Sequence, residues 1–408
     1  MNRLLLPLGL AALLSSPMVA SAQPTATDPS RLTLALAQQR AAARSPELAA
    51  AQHEVDATEG GLQQAGARRN PELSTTVEDT RSATRTTTAT IGFPLELGGK
   101  RAARITAAQR AHDVASARLA QARAAVRAAV ASSYFAVVVA QERVRLVEDS
   151  ARLAGEAADA VGKRVAAGKV SPVDATRARV DAANAQLEVA EARADLRSAR
   201  QALAGLWGEV EPGFAEVDGS VAEVPSRPSA PELLRDVDAS PGLLASRLEV
   251  DARTAQVEVE RSKAVPDMVV SVGARRDNAL GSTQAVVGVS IPLPVFDRNQ
   301  GAAHEASRRA DKARDDYDAA RVRLLADVSQ ASTRLSTAQA ALAVLRDTVL
   351  PAAQQAYDAS RTGFEAGKFG FIDVIDAQRA LLQARARTLD TLVSAWQTAT
   401  TIDRLLGR

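Results

Sequence analysis

The 408-residue chain contains no cysteine. Disulfide bonds, thiolate metal sites and a lipid carried on an N-terminal cysteine are thereby excluded, and packing alone must hold the fold. Histidine is nearly as rare: His53, His112 and His304 are far apart and occupy non-equivalent places. There is no zinc-protease helix motif, phosphate loop or hydrolase elbow. No catalytic residue, bound metal or cofactor is therefore expected, and the chain reads as a non-enzyme. An excess of one charge is missing too, since 50 Lys+Arg are interleaved with 48 Asp+Glu. Despite a pI of 9.1, no basic surface is segregated, so no nucleic-acid partner is expected.

Long apolar runs are also absent. Residues 4–14 are apolar, follow Arg3 and precede the small-residue site Ala20-Ser21-Ala22. That pattern predicts a secretory signal over 1–22, cut before Gln23, because the run falls well short of the roughly 20 residues a spanning helix needs. No later segment is a continuous apolar span, which leaves a closed β-barrel as the means of crossing a membrane.

What is present is a duplication. Ala167-Gly168-Lys169-Val170-Ser171-Pro172-Val173-Asp174 answers Ala366-Gly367-Lys368-Phe369-Gly370-Phe371-Ile372-Asp373 at an offset of 199. Ser45-Pro46 answers Ser240-Pro241 and Pro71 answers Pro266 at 195, Phe93-Pro94-Leu95 answers Ile291-Pro292-Leu293 at 198, and Leu206 and Gly208 answer Leu405 and Gly407 at 199. Each copy is one structural unit. The first copy with its linker covers 23–230 and the second 231–408, the boundary falling in the Pro-, Gly- and Ser-rich stretch 211–231.

Within each copy the hydrophobic period changes. Residues 32–69 read as helix, interrupted near Ser45-Pro46 and Gly60-Gly61. Then Leu73, Thr75 and Val77 alternate with Ser74, Thr76 and Glu78, and 84–93 is rich in β-branched residues, predicting a hairpin over about 72–93. In the second copy Met268, Val270, Val272 and Ala274, then Ala285, Val287, Val289 and Ile291, predict a hairpin over about 267–291. Runs of about 9 to 10 residues suit tilted membrane strands. Four strands cannot close a useful barrel, so oligomerisation is required.

A helical hairpin follows each β-hairpin, over about 99–206 and 301–406. Proline is absent from 99–167, and such a stretch makes a rod of about 100 Å. Val137, Ala140, Val144, Val147, Ala151, Ala154, Ala158, Val161 and Val165 keep a 3-4 spacing, as do Leu335, Ala338, Leu342, Leu345, Val349, Ala352, Ala356 and Ala359. This is coiled-coil packing with small residues that let helices approach closely. Pro351 should bend or break the second rod. At the far ends Gly168 and Gly367 suit the left-handed residue that stops a helix, and Ser171-Pro172 with Asp174 is a helix start. Asp373 and Asp376 share one face just past the second tip, where the first copy has Asp174 and Arg177. Helix capping accounts for an Asp at the third helical position, whereas repeated Asp373 and Asp376 around a pore would make acidic rings that favour cations.

This plan resembles the outer-membrane efflux proteins, the TolC-like exit ducts of tripartite pumps. The stretches 93–101 and 291–301 resemble the branch that serves cobalt-zinc-cadmium resistance. The resemblance implies a mainly α fold with a small β part. Duplicated strand-strand-long helical hairpin units would form, as a homotrimer, a 12-stranded outer-membrane β-barrel continuous with a periplasmic α-helical barrel. It further implies that the tips Gly168, Lys169, Gly367 and Lys368 meet a periplasmic adaptor, that an RND-type inner-membrane pump drives transport, and that Asp373 and Asp376 form the pore constriction. The family's basic partner there is not evident, because Phe369 and Phe371 flank Gly370. Implied function is a passive outer-membrane duct, in contact with lipid, for heavy-metal cations. The alternatives are a duct for drugs or other organic substrates, or a soluble periplasmic coiled-coil adaptor or scaffold, which would have no need of membrane-length amphipathic strands.

Overall fold

The computed structural model describes residues 31–408; the expected secretory signal lies outside the described residues. A short strand β1 (Arg31–Leu32) leads into α1 (Leu34–Arg44) and α2 (Pro46–Gly66). β2 (Glu72–Glu78) and β3 (Thr86–Leu95) make the first β-hairpin, and α3 (Lys100–Ala166) and α4 (Pro172–Gly205) the first helical hairpin. After β4 (Glu216–Val217) and α5 (Ala230–Arg235), the plan repeats. α6 (Pro241–Ser262) precedes β5 (Met268–Asp277) and β6 (Ser282–Ser290), followed by α7 (Gln300–Val344), α8 (Leu350–Glu365) and α9 (Phe371–Leu406).

Two expectations are corrected and a third is given its structural form. α2 does not break at Gly60-Gly61: it runs on to Gly66, with both glycines facing open space. Each glycine costs about 1 kcal/mol in a helix, and packing of α2 along α3 offsets it. At Pro351 the rod is interrupted. A π-helical turn, Leu345–Val349, widens the backbone just before the proline, which then sits in the first turn of α8 where its missing N–H is harmless. Finally, α3 does contain a stretch long and apolar enough to cross a membrane, with mean hydropathy 1.4. Val126, Val130, Tyr134, Phe135, Val137 and Val138 on it are buried, so it serves as the core helix of the fold instead.

That core sits midway along the rods. Leu32, Ala37 and Ala41 pack on α3 together with Leu203, Trp207, Phe214 and Val217. β1 and β4 pair in parallel across α3, and the Tyr134 hydroxyl lies against the carbonyls of Leu32, at 3.1 Å, and Asp218. Burial, reinforced by the Asp218 carboxylate, pushes the Tyr134 phenol up to about 12. A second cluster, including Leu233, Val237, Leu243, Val328, Leu392 and Ile402, is built mainly from the second copy and takes in Val139 of α3 from the first. Phe135 of the first copy stacks on Trp396 of the second with ring centroids 3.4 Å apart, locking the two together.

The four long strands form one antiparallel sheet in the order β2-β3-β5-β6, so β3 and β5 join the copies. Leu73, Val77, Ile91, Phe93, Val272, Val287 and Val289 are all exposed. The register puts Ile91 opposite Leu73 and Val272, and Val272 opposite Val287, so these exposed apolar side chains share one face. The copies are not identical at their exits: the left-handed N-caps Gly99 and Asn299 are 200 residues apart, against 198 for Phe93 and Ile291. Two residues are thus inserted between β6 and α7.

Where sheet meets rods, five ionic side chains knit both copies. Glu96 takes Arg104 at 2.6 Å and Arg69 at 3.5 Å, while Asp267, from the second copy, takes Lys100 at 2.6 Å and Arg69 at 3.4 Å. Hydrogen bonding to Arg104 holds the Glu96 carboxyl below its ordinary range. Burial alone would raise Asp267, but the Lys100 ammonium and the Leu97 N–H outweigh it and lower this carboxyl too.

Candidate functional site

The far ends of the two helical hairpins meet each other. Each tip is closed by the same device. Gly168, at φ +68°, donates its N–H to Val165 O at 2.9 Å, and Lys169 donates to Arg164 O at 2.9 Å. Gly367, at φ +71°, donates to Phe364 O at 3.0 Å, and Lys368 to Gly363 O at 2.8 Å. Positive φ with this wrap-back pattern is the C-terminal stop that glycine favours. Gly168, Lys169, Gly367 and Lys368 are all exposed, so both tips present an ammonium group to whatever lies beyond.

The return helices start differently. Ser171 Oγ accepts the Val173 N–H at 3.2 Å, with Pro172 at the first helical position. Gly370 has no side chain to cap with, and Asp373 supplies half of a capping box by accepting the Gly370 N–H at 2.8 Å. Asp376, one turn further on, is exposed and makes no hydrogen bond or ion pair among the described residues.

Between α4 and α9 lies a groove of about 430 Å³. Thr176, Arg177, Val180 and Asp181 line it from one side, and Phe371, Ile372, Ile375, Asp376 and Arg379 from the other. The wall chemistry is crossed: α4 offers a base then an acid, α9 an acid then a base. Arg379 and Asp181 form an ion pair that ties the two tips across the groove. Beneath it Val161, Ala178, Phe371 and Ile375 make an apolar plug, and the Arg164 guanidinium sits 4.0 Å over the Phe364 ring. Phe369 lies on Gly363, where a Cβ would come within 2.2 Å of its ring, so only glycine admits that ring position.

Of the residues singled out from sequence, the structure therefore brings Asp376 and Arg177 to one groove, gives Asp373 a capping bond, and leaves the four tip residues facing out. Asp181, Arg379, Arg164 and Phe364 were missed. Arg379 stands three residues after Asp376, one helical turn away, which is the signal that could have exposed it. His112 Nδ1 lies 3.2 Å from Thr58 Oγ1, and among the described residues no three potential metal-ligating side chains converge.

Paired β-hairpins with an outward apolar face at one end, and paired closed helical tips with a charged groove at the other, define the wall of a membrane-crossing duct. Comparison with known proteins specifies which. The chain belongs to the outer membrane efflux protein family, whose model matches residues 37–209 and 237–408. It is an outer-membrane efflux channel. The chain is 53% identical over 419 residues to the cobalt-zinc-cadmium resistance protein CzcC of Cupriavidus metallidurans, covering 100% of both. It is also 36% identical over 300 residues to the nickel and cobalt resistance protein CnrC of the same organism, covering 72% of this chain and 71% of that one. In fold it matches crystal structures of CusC, with TM-score 0.76, 17% identity and 91% of both chains covered. It likewise matches VceC of Vibrio cholerae, with TM-score 0.76, 21% identity, and 92% and 96% covered.

Proposed function

We propose that three copies assemble into the passive exit duct of a tripartite efflux system that carries divalent heavy-metal cations, of the cobalt, zinc and cadmium kind, out of the cell. The observation that carries this reading is the 53% identity, end to end, with a protein named for resistance to those metals. Three copies contribute twelve strands, enough for a barrel with an open lumen. The exposed tips Gly168, Lys169, Gly367 and Lys368 serve as the docking end for a periplasmic adaptor, and an inner-membrane pump supplies the energy. No covalent chemistry belongs to this chain.

Asp373 and Asp376, three times repeated, form the constriction at that end. Asp376 is the stronger candidate, since Asp373 already has a capping role. The Arg379–Asp181 pair holds the two tips of one copy together in the closed form. A soluble adaptor is disfavoured by the exposed apolar face of the sheet, which water would not tolerate over four strands.

A deletion strain tested against zinc, cobalt, cadmium, copper and organic toxicants checks the cargo. Loss of tolerance to zinc, cobalt and cadmium is expected. Sensitivity confined to organic toxicants would overturn the metal assignment.

A further inference from the structure

We infer that the strand and exit segment 288–294 of one copy pairs antiparallel with Glu72–Glu78 of the next copy, in the register that sets Val289 opposite Val77, Ile291 opposite Thr75 and Leu293 opposite Leu73. This rests on the proposal of a closed ring of identical copies, whose free edges are β6 and β2, and adds the register in which they meet.

β2 and β6 are the two edges of the sheet and run in opposite directions, so the β6 of one copy and the β2 of another can continue the ladder. Unpaired edges of this kind demand a partner. Beyond Ser290 the segment has no strand beside it within the chain, yet it is strongly apolar: Leu293 is 80% exposed, Val295 62% and Phe296 92%. Internal repetition identifies the occupant. The second strand of copy one already pairs with the first strand of copy two, inside the chain. The second strand of copy two lacks its equivalent neighbour, and only the first strand of another molecule supplies it.

Three independent constraints select the register. The first is the face. Leu73 and Val77 must stand on the same side as Val287, Val289 and Ile291, which allows only shifts of two residues. The second is closure. Across the sheet, Val77 is level with Thr87, Arg276 and Thr283. Bringing Val289 opposite the next Val77 staggers the ladder by six residues per copy, whereas Val287 or Ile291 there would stagger it by four or eight. With about 3.3 Å per residue and about 4.8 Å between strands, these staggers tilt the strands by about 46°, 35° and 54°, and barrels keep to roughly 35–45°. The eight-residue stagger fails.

The third constraint is the rods. Inside the chain Leu95 lies opposite Met268, five residues before α3 begins and six after α6 ends. At the seam α7 begins at Gln300 and α2 ends at Gly66, so the same spacing brings Val295 level with Glu72. The allowed register closest to this on the low side puts Pro294 opposite Glu72, which is the six-residue stagger. The four-residue one displaces the rods by three residues and fails.

The absence of native cysteine makes the test direct. Val77→Cys with Val289→Cys should give covalent dimers and trimers on mild oxidation of isolated outer membranes, at least tenfold more than Val77→Cys with Val287→Cys or with Ile291→Cys. Opposed residues lie within disulfide reach and those two positions away do not. Thr75→Cys with Ile291→Cys gives an independent second reading should the first pair assemble poorly. A dominant cross-link at Val287 or Ile291 overturns the register. No cross-link from either pair, in membranes where an amine-reactive cross-linker still traps trimers, overturns the seam. Absence of trimers with that reagent overturns the ring itself, and the inference with it.

Discussion

Gly98 offers the sharpest test of how the sheet is seated on the rods. It adopts φ +69°, and a Cβ there would lie 2.6 Å from Val265 Cβ, 2.9 Å from Val265 Cγ2 and 3.2 Å from the Ser262 carbonyl oxygen, all in the second copy. Gly99 adopts almost the same conformation, φ +73°, but a Cβ there meets nothing within 4 Å. Gly98→Ala and Gly99→Ala therefore share the left-handed backbone penalty of about 1–2 kcal/mol. Only Gly98→Ala adds overpacking, of about 1–3 kcal/mol. Heat dissociation of the purified oligomer in detergent, at one fixed scan rate, compares the two. The Gly98 variant should fall clearly below the Gly99 variant, and the Gly99 variant only modestly below wild type. Equal midpoints would refute the claim that this turn is wedged between the two copies.

Three further outcomes follow from the tips and the joint. Asp373→Ala with Asp376→Ala should raise conductance in a planar bilayer and lower cation selectivity; unchanged selectivity would leave Asp373 as a helix cap alone. Arg379→Ala should change stability by about 1 kcal/mol or less, because its guanidinium is open to solvent although Asp181 is half-buried, while raising the open probability of the channel, and Asp181→Ala should raise it likewise. At the joint, Glu96 and Asp267 have carboxyls lowered in the folded state. Their stabilisation is thus complete above the ordinary carboxylate range and is lost as pH falls through the lowered values. Oligomer melting should drop steeply in acid below about pH 4, and Glu96→Gln with Asp267→Asn should flatten that drop; an equally steep fall in the double variant would contradict it.

Much of this fold can be read locally. Alternation at Leu73, Thr75 and Val77, the Ala-Gly-Lys stops and the Ser171-Pro172 start each act over a few residues, and each lies where the pattern places it. Contacts between distant segments are another matter. α3 has 67 residues, and an uncertainty of about 20° per heptad in helical phase accumulates to about half a turn along it. Periodicity at its start therefore cannot say what Val161 or Arg164 faces at its end. The Arg379–Asp181 pair and the Phe135–Trp396 stack depend on that phase, as well as on how two hairpins lean together. The two-residue insertion before Asn299 was hidden for a different reason: Ile291-Pro292-Leu293 matches Phe93-Pro94-Leu95 so well that it masks the longer exit behind it.

In this duct the sheet end crosses the outer membrane and the helical tips lie inside the cell envelope. Single cysteines in this cysteine-free chain test it directly, one at Leu280, 69% exposed in the β5–β6 turn, and one at the Lys368 tip. With a membrane-impermeant maleimide, Leu280→Cys should be labelled on intact cells, and Lys368→Cys only after the outer membrane is permeabilised. Labelling of both in intact cells, or protection of both until permeabilisation, would contradict it.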